Sequence, residues 1–215
     1  RRKKMANSND MFDDLLTNKE SFFVPTSTPS KTSVAPNVRG EFYGHLADAQ
    51  MKEVSWTKDG EKFKAIVYNY SFVVDEANKS QSYTYASYKD SSEQVASGED
   101  YIGRSYKANG VFRFLEPSEG DDFKSNASGN KSYFRFCETL GLDIEKKVAQ
   151  IDGQDVEVKI LPSLDTSEIN GKPAIAVVDK GKPYTTKDGK ERTPFVVKFI
   201  KTWENGEVKN DDIPF

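Results

Sequence analysis

The sequence predicts a mostly β fold: a five-stranded barrel with one short helix between its third and fourth strands and a long insertion. Three segments rich in aromatic and β-branched residues at strand-like spacing precede one helical segment, and strand regions after it supply the other two strands of the barrel. The 215 residues include 14 Phe, 10 Tyr and 2 Trp, although only 36% of the chain is hydrophobic. Since aromatic residues favour β structure, these counts indicate one β domain with long loops or tails.

Composition also divides the chain into three parts. Residues 1–37 are predicted to be a flexible N-terminal segment, because Pro25, Pro29 and Pro36 lie among Ser and Thr there. Residues 11–16 could form one or two amphipathic helical turns, and both packing on the body and binding of a partner remain open for them. Residues 38–203 are the expected folded body, and residues 204–215 an acidic tail.

Three strand segments are predicted before the helix. Residues 40–54 mix aromatic and apolar side chains, and residues 56–60 supply a turn. Residues 63–74 are the clearest strand, and their length predicts a strand that bends around a barrel. The polar residues 76–100 are expected to be an insertion that has room for one edge strand. Strand character returns at residues 101–115, broken by the hairpin-turn signal Asn109-Gly110.

The rest of the body has a helix and further strands. An acidic loop, residues 116–130, leads to a helix at residues 133–141 that Gly141 ends and in which Cys137 is a buried small hydrophobe. Residues 156–161 alternate as a half-buried strand should, and residues 174–178 and 194–203 are two more strands. The basic loop of residues 179–193 joins the last two, with a turn at residues 187–190.

Charge is segregated along the chain. The net charge is −3, which as an average argues against a nucleic-acid binder. Between Lys180 and Lys201, however, seven cations face only Asp188 and Glu191, for a local charge of +5. The tail that follows is acidic. The average therefore conceals a basic hairpin beside an acidic segment.

Basic residues interleaved with aromatic residues are what a single DNA strand requires, because phosphates bind Lys and Arg while unstacked bases stack on flat rings. For each aromatic residue, core packing remains the alternative. On the second strand, Lys64 and Tyr68 should share the DNA side, with Phe63, Ala65 and Val67 facing inward. The predicted DNA-binding residues are Trp56, Lys58, Lys62, Lys64, Tyr68, Tyr70, Arg104, Tyr106, Lys107, Arg113, Tyr184, Lys187, Arg192, Lys198 and Trp203.

The sequence predicts neither an enzyme nor a cofactor or metal site. The single histidine, His45, has no Cys or His at metal-ligand spacing, which favours a structural role. No phosphate-binding loop or nucleophile elbow is present. The pairs Asp121-Asp122 and Glu99-Asp100 could hold metal in a nuclease, but solvated loops explain them better. The lone cysteine fits a reducing cytoplasm, and no apolar run is long enough to span a membrane.

The chain finishes with two carboxylates and an Ile-Pro-Phe triplet, which together suit a ligand offered to another protein. This tip resembles that of phage and bacterial single-stranded DNA-binding proteins, and the strand and helix order resembles their OB-fold. The resemblance implies a cytoplasmic protein of a bacterium or phage-infected cell that coats and protects single-stranded DNA in replication, recombination and repair, with homo-oligomers possible. It also implies recruitment of a polymerase, helicase, primase or exonuclease by Asp211, Asp212, Ile213, Pro214 and Phe215.

Two other functions stay open. The chain could be an OB-fold adaptor of a replication complex that acts mainly by protein contacts, or, more remotely, a carboxylate-dependent nuclease. Binding to poly-dT at low and high salt separates the first from a DNA-binding protein, because only the latter makes phosphate contacts.

Overall fold

The computed structural model describes residues 35–87, 89–151 and 153–208. Within these ranges the chain is mostly β-strand with one α-helix, as the sequence predicts. Four short 3₁₀ helices lie at Glu76–Ser80, Gly98–Tyr101, Ala127–Asn130 and Thr166–Glu168. The strands and the helix are β1 (Gly40–Lys58), β2 (Glu61–Val74), β3 (Ser82–Ala86), β4 (Glu93–Ser97), β5 (Ser105–Lys107), β6 (Val111–Phe114), α1 (Lys131–Thr139), β7 (Lys146–Ile151), β8 (Gln154–Lys159), β9 (Pro173–Lys180), β10 (Tyr184–Thr185), β11 (Glu191–Arg192) and β12 (Phe195–Lys201).

Six strands form one sheet in the order β12-β9-β1-β2-β5, with β6 also pairing with β2. All of these ladders are antiparallel. The two ends of the sheet, β5 and β12, are joined only next to β5, by a single parallel bridge between Ala108 and Val197. The sheet curves towards closure but is not a fully hydrogen-bonded barrel.

The core lies between one face of this sheet and α1. Tyr133, Phe136 and Cys137 recur at helical spacing and form the buried side of α1. Tyr68 of β2 stacks on Tyr133, and the next inward residue, Tyr70, stacks on Phe136, with ring centroids 5.5 and 5.4 Å apart. The helix thus decides which face of β2 is buried. Cys137 is fully buried, as predicted, and burial raises the pKa of its thiol to about 11.

A β-bulge bends the long hairpin of β1 and β2. The register between these strands shifts between Ala47 and Gln50, and Asp48 has a φ of 52°. Asn170 stabilises the irregularity, because its side-chain oxygen accepts a hydrogen bond of 2.9 Å from the backbone N–H of Ala49. A bulge increases the local bend of a strand. The half of the β1–β2 hairpin beyond the bulge therefore bends relative to the half that forms the core.

Asn78 connects three elements in the interior. Its side-chain oxygen accepts hydrogen bonds from the backbone N–H of Tyr43 and the hydroxyl of Tyr83, at 3.0 and 3.1 Å. Its side-chain nitrogen donates to the backbone carbonyls of Tyr43 and Asp75. Asn78 is fully buried, so the polar atoms of its side chain depend on these protein partners. This one amide fastens β1, the first 3₁₀ helix and β3 together.

The hairpin turn predicted at Asn109-Gly110 is wrong. Both β5 and β6 pair antiparallel with β2, so the chain continues along the same edge after a short break. Gly110 is required there by close approach: a Cβ at this position would lie 2.5 Å from Cγ2 of Val67. Asn109 and Gly110 do interrupt the strand, but the chain then continues along the same edge of the sheet instead of turning back.

Two other segments differ from the prediction. Residues 76–100 contain a two-stranded sheet, β3 with β4, rather than one edge strand. Residues 156–161 begin within β8, which pairs with the unpredicted β7, and this hairpin is exposed rather than half-buried.

The predicted turn at residues 187–190 is present between β10 and β11, with Gly189 at a φ of 78°. In the described part of the chain, no helix has the length and apolar character needed to cross a membrane.

Candidate nucleic-acid interface

An aromatic cluster lies on the outer face of the sheet, by which we mean the face opposite to that of Tyr68 and Tyr70. Trp56 of β1 lies directly opposite Phe63 of β2, and their ring centroids are 5.9 Å apart. Phe114 and Phe112 of β6 lie opposite Ala65 and Val67 of β2, which places them on the same face. The indole contacts both phenyl rings edge-on, at 5.7 Å for Phe114 and 6.3 Å for Phe112. Phe112 retains 40% exposure.

A groove of about 780 Å³ continues from this cluster towards β12. Its walls are the two strands that diverge beyond the bridge at Ala108, and α1 lies along it. Phe112 and Phe114 line one wall and Phe199, which is 53% exposed, lines the other. The cations Arg135 of α1 and Lys198 of β12 also line the groove. The site therefore offers flat apolar rings and positive charge in one open channel.

The wall formed by β6 is held in place by Asn130. The backbone N–H of Phe114 donates to the side-chain oxygen of Asn130 at 2.7 Å, and the Asn130 amide nitrogen donates back to the Phe114 carbonyl at 3.1 Å. Asn130 precedes α1 and is buried. Gly129 permits this contact, because a Cβ there would lie 2.5 Å from the Phe114 ring. The edge of β6 is thus tied to the start of the helix, which fixes one side of the groove.

The lysines on the two faces of the β1–β2 hairpin differ in whether a protein group binds them. Lys62 and Lys64 lie on the face opposite Trp56 and are engaged by an acidic loop. Lys62 bonds to Asp122 at 2.6 Å, and this bond holds the pKa of the Asp122 carboxyl below its usual range. The Lys64 ammonium lies 4.8 Å from the centre of the Phe123 ring. Lys58, which is on the same face as Trp56, forms no ion pair among the described residues.

The two cations that line the groove are likewise available to bind a phosphate. Arg135 and Lys198 make no ion pair with any residue that the structure describes. The one carboxylate that lines the groove, Glu138, is bound by Lys159 at 2.5 Å. Because its charge is already compensated, it opposes an incoming phosphate less than a free carboxylate would.

Three predicted DNA-binding tyrosines lie in the core. Tyr68, Tyr70 and Tyr106 are 1%, 6% and 3% exposed. The hydroxyl of Tyr68 donates to the Leu164 carbonyl, and burial raises the pKa of Tyr106 to about 12. The expectation that Tyr68 faces outward is therefore wrong. Of the residues expected to face inward, Ala65 and Val67 are buried, whereas Phe63 is only half-buried, beside Trp56.

The remaining predicted residues are distributed around the body. Arg104 donates to the Ala35 carbonyl and contacts Asn37, so it holds the start of the described chain. Arg113 is on the face opposite the aromatic cluster, and its Nε is buried without a hydrogen-bond partner in the described structure. Trp203 packs edge-on against Tyr43 at 5.4 Å. None of these three borders the groove.

The basic hairpin extends into solvent. Tyr184 is 51% exposed on β10, and Arg192 lies opposite it on β11. Lys187 is exposed near the turn, and Lys107 is exposed at the end of β5. None of the three cations forms an ion pair within the described ranges, so each is available to a phosphate.

Five residues of the aromatic cluster and the groove were not predicted from the sequence. Phe63, Phe112, Phe114, Arg135 and Phe199 line the cluster or the groove but were not among the predicted DNA-binding residues. Phe112 and Phe114 are two residues apart in a strand, and that spacing was the signal that they share a face. Phe199 follows the predicted Lys198 in a strand that mixes basic and aromatic residues, whereas Arg135 has no local signal, since tertiary structure alone brings α1 beside β12.

His45 has the structural role that the sequence favours. It is 5% exposed, and its Nδ1 lies 2.9 Å from a carboxylate oxygen of Asp75. Among the described residues, no group of three or more His, Cys, Asp or Glu side chains could hold a metal ion. The tip residues Asp211, Asp212, Ile213, Pro214 and Phe215, and residues 11–16, lie outside the described residues.

Comparison with known proteins gives no relative: no protein-family model, curated protein or solved structure matches this chain.

Proposed function

We propose that this chain is a non-catalytic protein that binds single-stranded DNA along the aromatic cluster and the groove beside it. The observation that carries the proposal is the open groove of about 780 Å³ that is lined by Phe112 and Phe199 together with Arg135 and Lys198. Exposed rings grouped in this way often mark a binding site, and they lie beside cations that form no ion pair with any described residue. A strand of nucleic acid supplies both complements: bases for the rings and phosphates for the cations.

Single strands fit this site better than duplex does. The rings lie in and beside a channel between two strands, so a base must leave its neighbours and its pairing partner to stack there. In duplex DNA the bases are already stacked and paired, and only phosphates would reach the cations. Stacking supplies about 1–3 kcal/mol per base and is tolerant of sequence. We therefore expect preference for single strands with little dependence on sequence.

We also propose that the sheet is an incomplete barrel of the OB type. Three features support this: the order β12-β9-β1-β2-β5, the helix between the strand segments β5–β6 and β9, and the parallel contact that brings β12 beside β5. Ligands of OB-folds lie across the second and third strands and between the loops after the first and fourth strands. The aromatic cluster occupies the first of these places, and the hairpins of β1–β2 and β10–β11 occupy the others.

The proposal includes recruitment of replication or recombination enzymes by the acidic and apolar tip. Its support is composition: Asp211 and Asp212 offer charge to a basic pocket, and Phe215 offers a ring to an apolar slot. The same tip is the observation that favours the alternative function, an adaptor that works mainly through protein contacts. The two functions differ in whether the groove binds DNA.

Binding of a labelled dT oligonucleotide and of an equal-length duplex, followed by fluorescence anisotropy, tests the proposal. We expect the single strand to bind at least about fivefold more tightly, since one stacked base alone contributes about 1–3 kcal/mol. The logarithm of the affinity should fall linearly with the logarithm of salt concentration, by about 0.7 per phosphate neutralised. Equal affinity for the two forms of DNA, or none for either, contradicts the proposed function.

The same titration on a chain ending at Lys209 separates the two parts of the proposal. Removal of residues 210–215 should leave the preference for single strands unchanged, because the groove is built from the body. Binding of a replication or recombination enzyme from the same host, measured by surface plasmon resonance, should be lost. Recruitment that persists without the tip would contradict its proposed role.

A further inference from the structure

The chain contains three Asn-Gly dipeptides, at residues 109–110, 170–171 and 205–206. In such a dipeptide the backbone nitrogen of the glycine can attack the side-chain carbonyl of the asparagine, since glycine has no Cβ to obstruct the approach. The reaction requires an asparagine amide and a glycine N–H that are free to come together. A hydrogen bond on either group opposes the reaction, because that bond must break first.

The pair at residues 170–171 is held at both groups. The side-chain oxygen of Asn170 accepts a hydrogen bond of 2.9 Å from the backbone N–H of Ala49. The Gly171 N–H donates to the backbone carbonyl of Leu46 at 2.8 Å, and Gly171 is buried. Neither the amide nor the attacking nitrogen of this pair is free.

The pair at residues 205–206 is held at one group. The Gly206 N–H donates to the backbone carbonyl of Trp203 at 3.0 Å. A Cβ on Gly206 would clash with Pro173, so this glycine is packed closely against β9. Asn205 itself is exposed, and its protection comes from the engaged nitrogen of the glycine.

The pair at residues 109–110 is held at neither group. Residues 108–110 stand opposite only two residues of β2, which makes a β-bulge on this edge of the sheet. The extra residue of a bulge is left out of the ladder of hydrogen bonds. The Gly110 N–H and the Asn109 side chain accordingly form no hydrogen bond with any described residue, and Asn109 is exposed. This is the one Asn-Gly pair of the three in which both reacting groups are free.

We propose that Asn109 is a site of spontaneous deamidation, at which a neutral amide becomes a carboxylate. The Gly110 nitrogen bonds to Cγ of Asn109, and the bond between Cγ and the side-chain nitrogen breaks. Ammonia leaves with the proton of the Gly110 N–H. Water then opens the cyclic imide, at Cγ to give aspartate or at the backbone carbonyl carbon to give isoaspartate. One water is consumed and one ammonia released, with no oxidation or reduction.

The new carboxylate would lie in the proposed DNA groove, because Asn109 lines it together with Arg135 and Lys198. Both products are ionised at neutral pH, so each repels a phosphate that these cations attract. We expect DNA affinity to fall by about 1.5- to 5-fold at low salt, the effect of one exposed charge pair, and by less at high salt. This consequence rests on the proposed function, whereas the reaction itself does not.

Incubation of the folded full chain without DNA in mildly alkaline buffer, followed by digestion and mass spectrometry, measures the reaction at each pair. Asn109 should lose its amide at least about twofold faster than Asn205, in which one hydrogen bond must break, and faster still than Asn170. In guanidinium chloride, where these hydrogen bonds are absent, the three rates should become similar. A rate at Asn109 in the folded chain that does not exceed both other rates would overturn the inference.

Anisotropy titrations with a dT oligonucleotide before and after the same incubation test the consequence for the groove. The affinity of the wild-type chain should fall towards that of N109D. N109Q is the matched control, because its longer side chain closes a ring far more slowly, and its affinity should be the same before and after. An equal loss in N109Q would overturn the role of the carboxylate. Absence of DNA binding by fresh wild-type chain would contradict the proposed function, while mass spectrometry would still decide whether Asn109 reacts.

Discussion

Replacement of Phe112 by alanine is expected to weaken binding of a dT oligonucleotide by about 5- to 150-fold, since a stacked base loses its ring and about 1–3 kcal/mol. Phe112 is 40% exposed at the junction of the aromatic cluster and the groove, so one substitution affects both. The combination F112A/F199A should lose more, because Phe199 lines the opposite wall. Anisotropy titrations at fixed salt measure these losses directly.

Met51 gives the matched control for this prediction. It is 53% exposed on β1 but lies opposite Tyr68, so it is on the face away from Trp56. M51A removes exposed apolar surface of similar size and should leave DNA affinity unchanged. Equal losses for M51A and F112A would mean that the aromatic face has no special role in binding DNA.

Replacement of Asn78 by alanine is expected to lower the free energy of unfolding by roughly 3–5 kcal/mol. The side chain is fully buried and bonds to the backbone of Tyr43 and Asp75 and to the hydroxyl of Tyr83. Without it, the N–H of Tyr43 loses this partner, and the Tyr43 carbonyl keeps the hydrogen bond from the Asp75 N–H but loses the one from the amide. Such a loss is a large part of the total stability of a domain, which is about 5–15 kcal/mol.

Urea unfolding checks this prediction through a lower midpoint at an unchanged slope. Lys79 follows Asn78 in the chain and is exposed, so K79A is the matched control and should change the stability by less than about 0.5 kcal/mol. A loss for N78A as small as that of K79A would contradict the role assigned to this amide.

The strands could be predicted well from the sequence, but the faces of the strands could not. Segments 40–54, 63–74 and 174–178 lie in strands, segment 194–203 contains β12, and Gly141 follows the helix with the positive φ expected of a terminating glycine. In β2, however, both faces carry large apolar residues. The sequence therefore does not show whether the odd-numbered or the even-numbered residues of β2 face the core. Moving the inward set by one residue would turn every side chain of the strand to the other face.

The helix α1, which is distant in the sequence, determines which alternate residues of β2 face the core. Tyr133 and Phe136 of α1 stack on Tyr68 and Tyr70, which draws the even-numbered residues of the strand into the core. The odd-numbered Phe63 is thereby left outside with Trp56. No local pattern in residues 63–74 contains this information, because it depends on where the helix packs.

The candidate site is partly predictable for the same reason. Trp56 and Lys198 could be selected from local composition, since each lies in a strand that mixes aromatic and basic residues. The groove could not, because it arises where β6 and β12 diverge beside α1, and these elements are far apart in the chain. The turn signal at Asn109-Gly110 was misleading because the pairing of both flanking strands with β2 overrides it.

The central claim is that a DNA base stacks on the outer aromatic face, and the emission of Trp56 tests it most directly. The chain has two tryptophans, so W203F leaves Trp56 as the only one and keeps a ring against Tyr43. Titration with a dT oligonucleotide, with binding followed in parallel by the anisotropy of a label on the DNA, should quench the Trp56 emission as the sites fill. Saturation of the protein with DNA while the emission of Trp56 stays constant would contradict the claim.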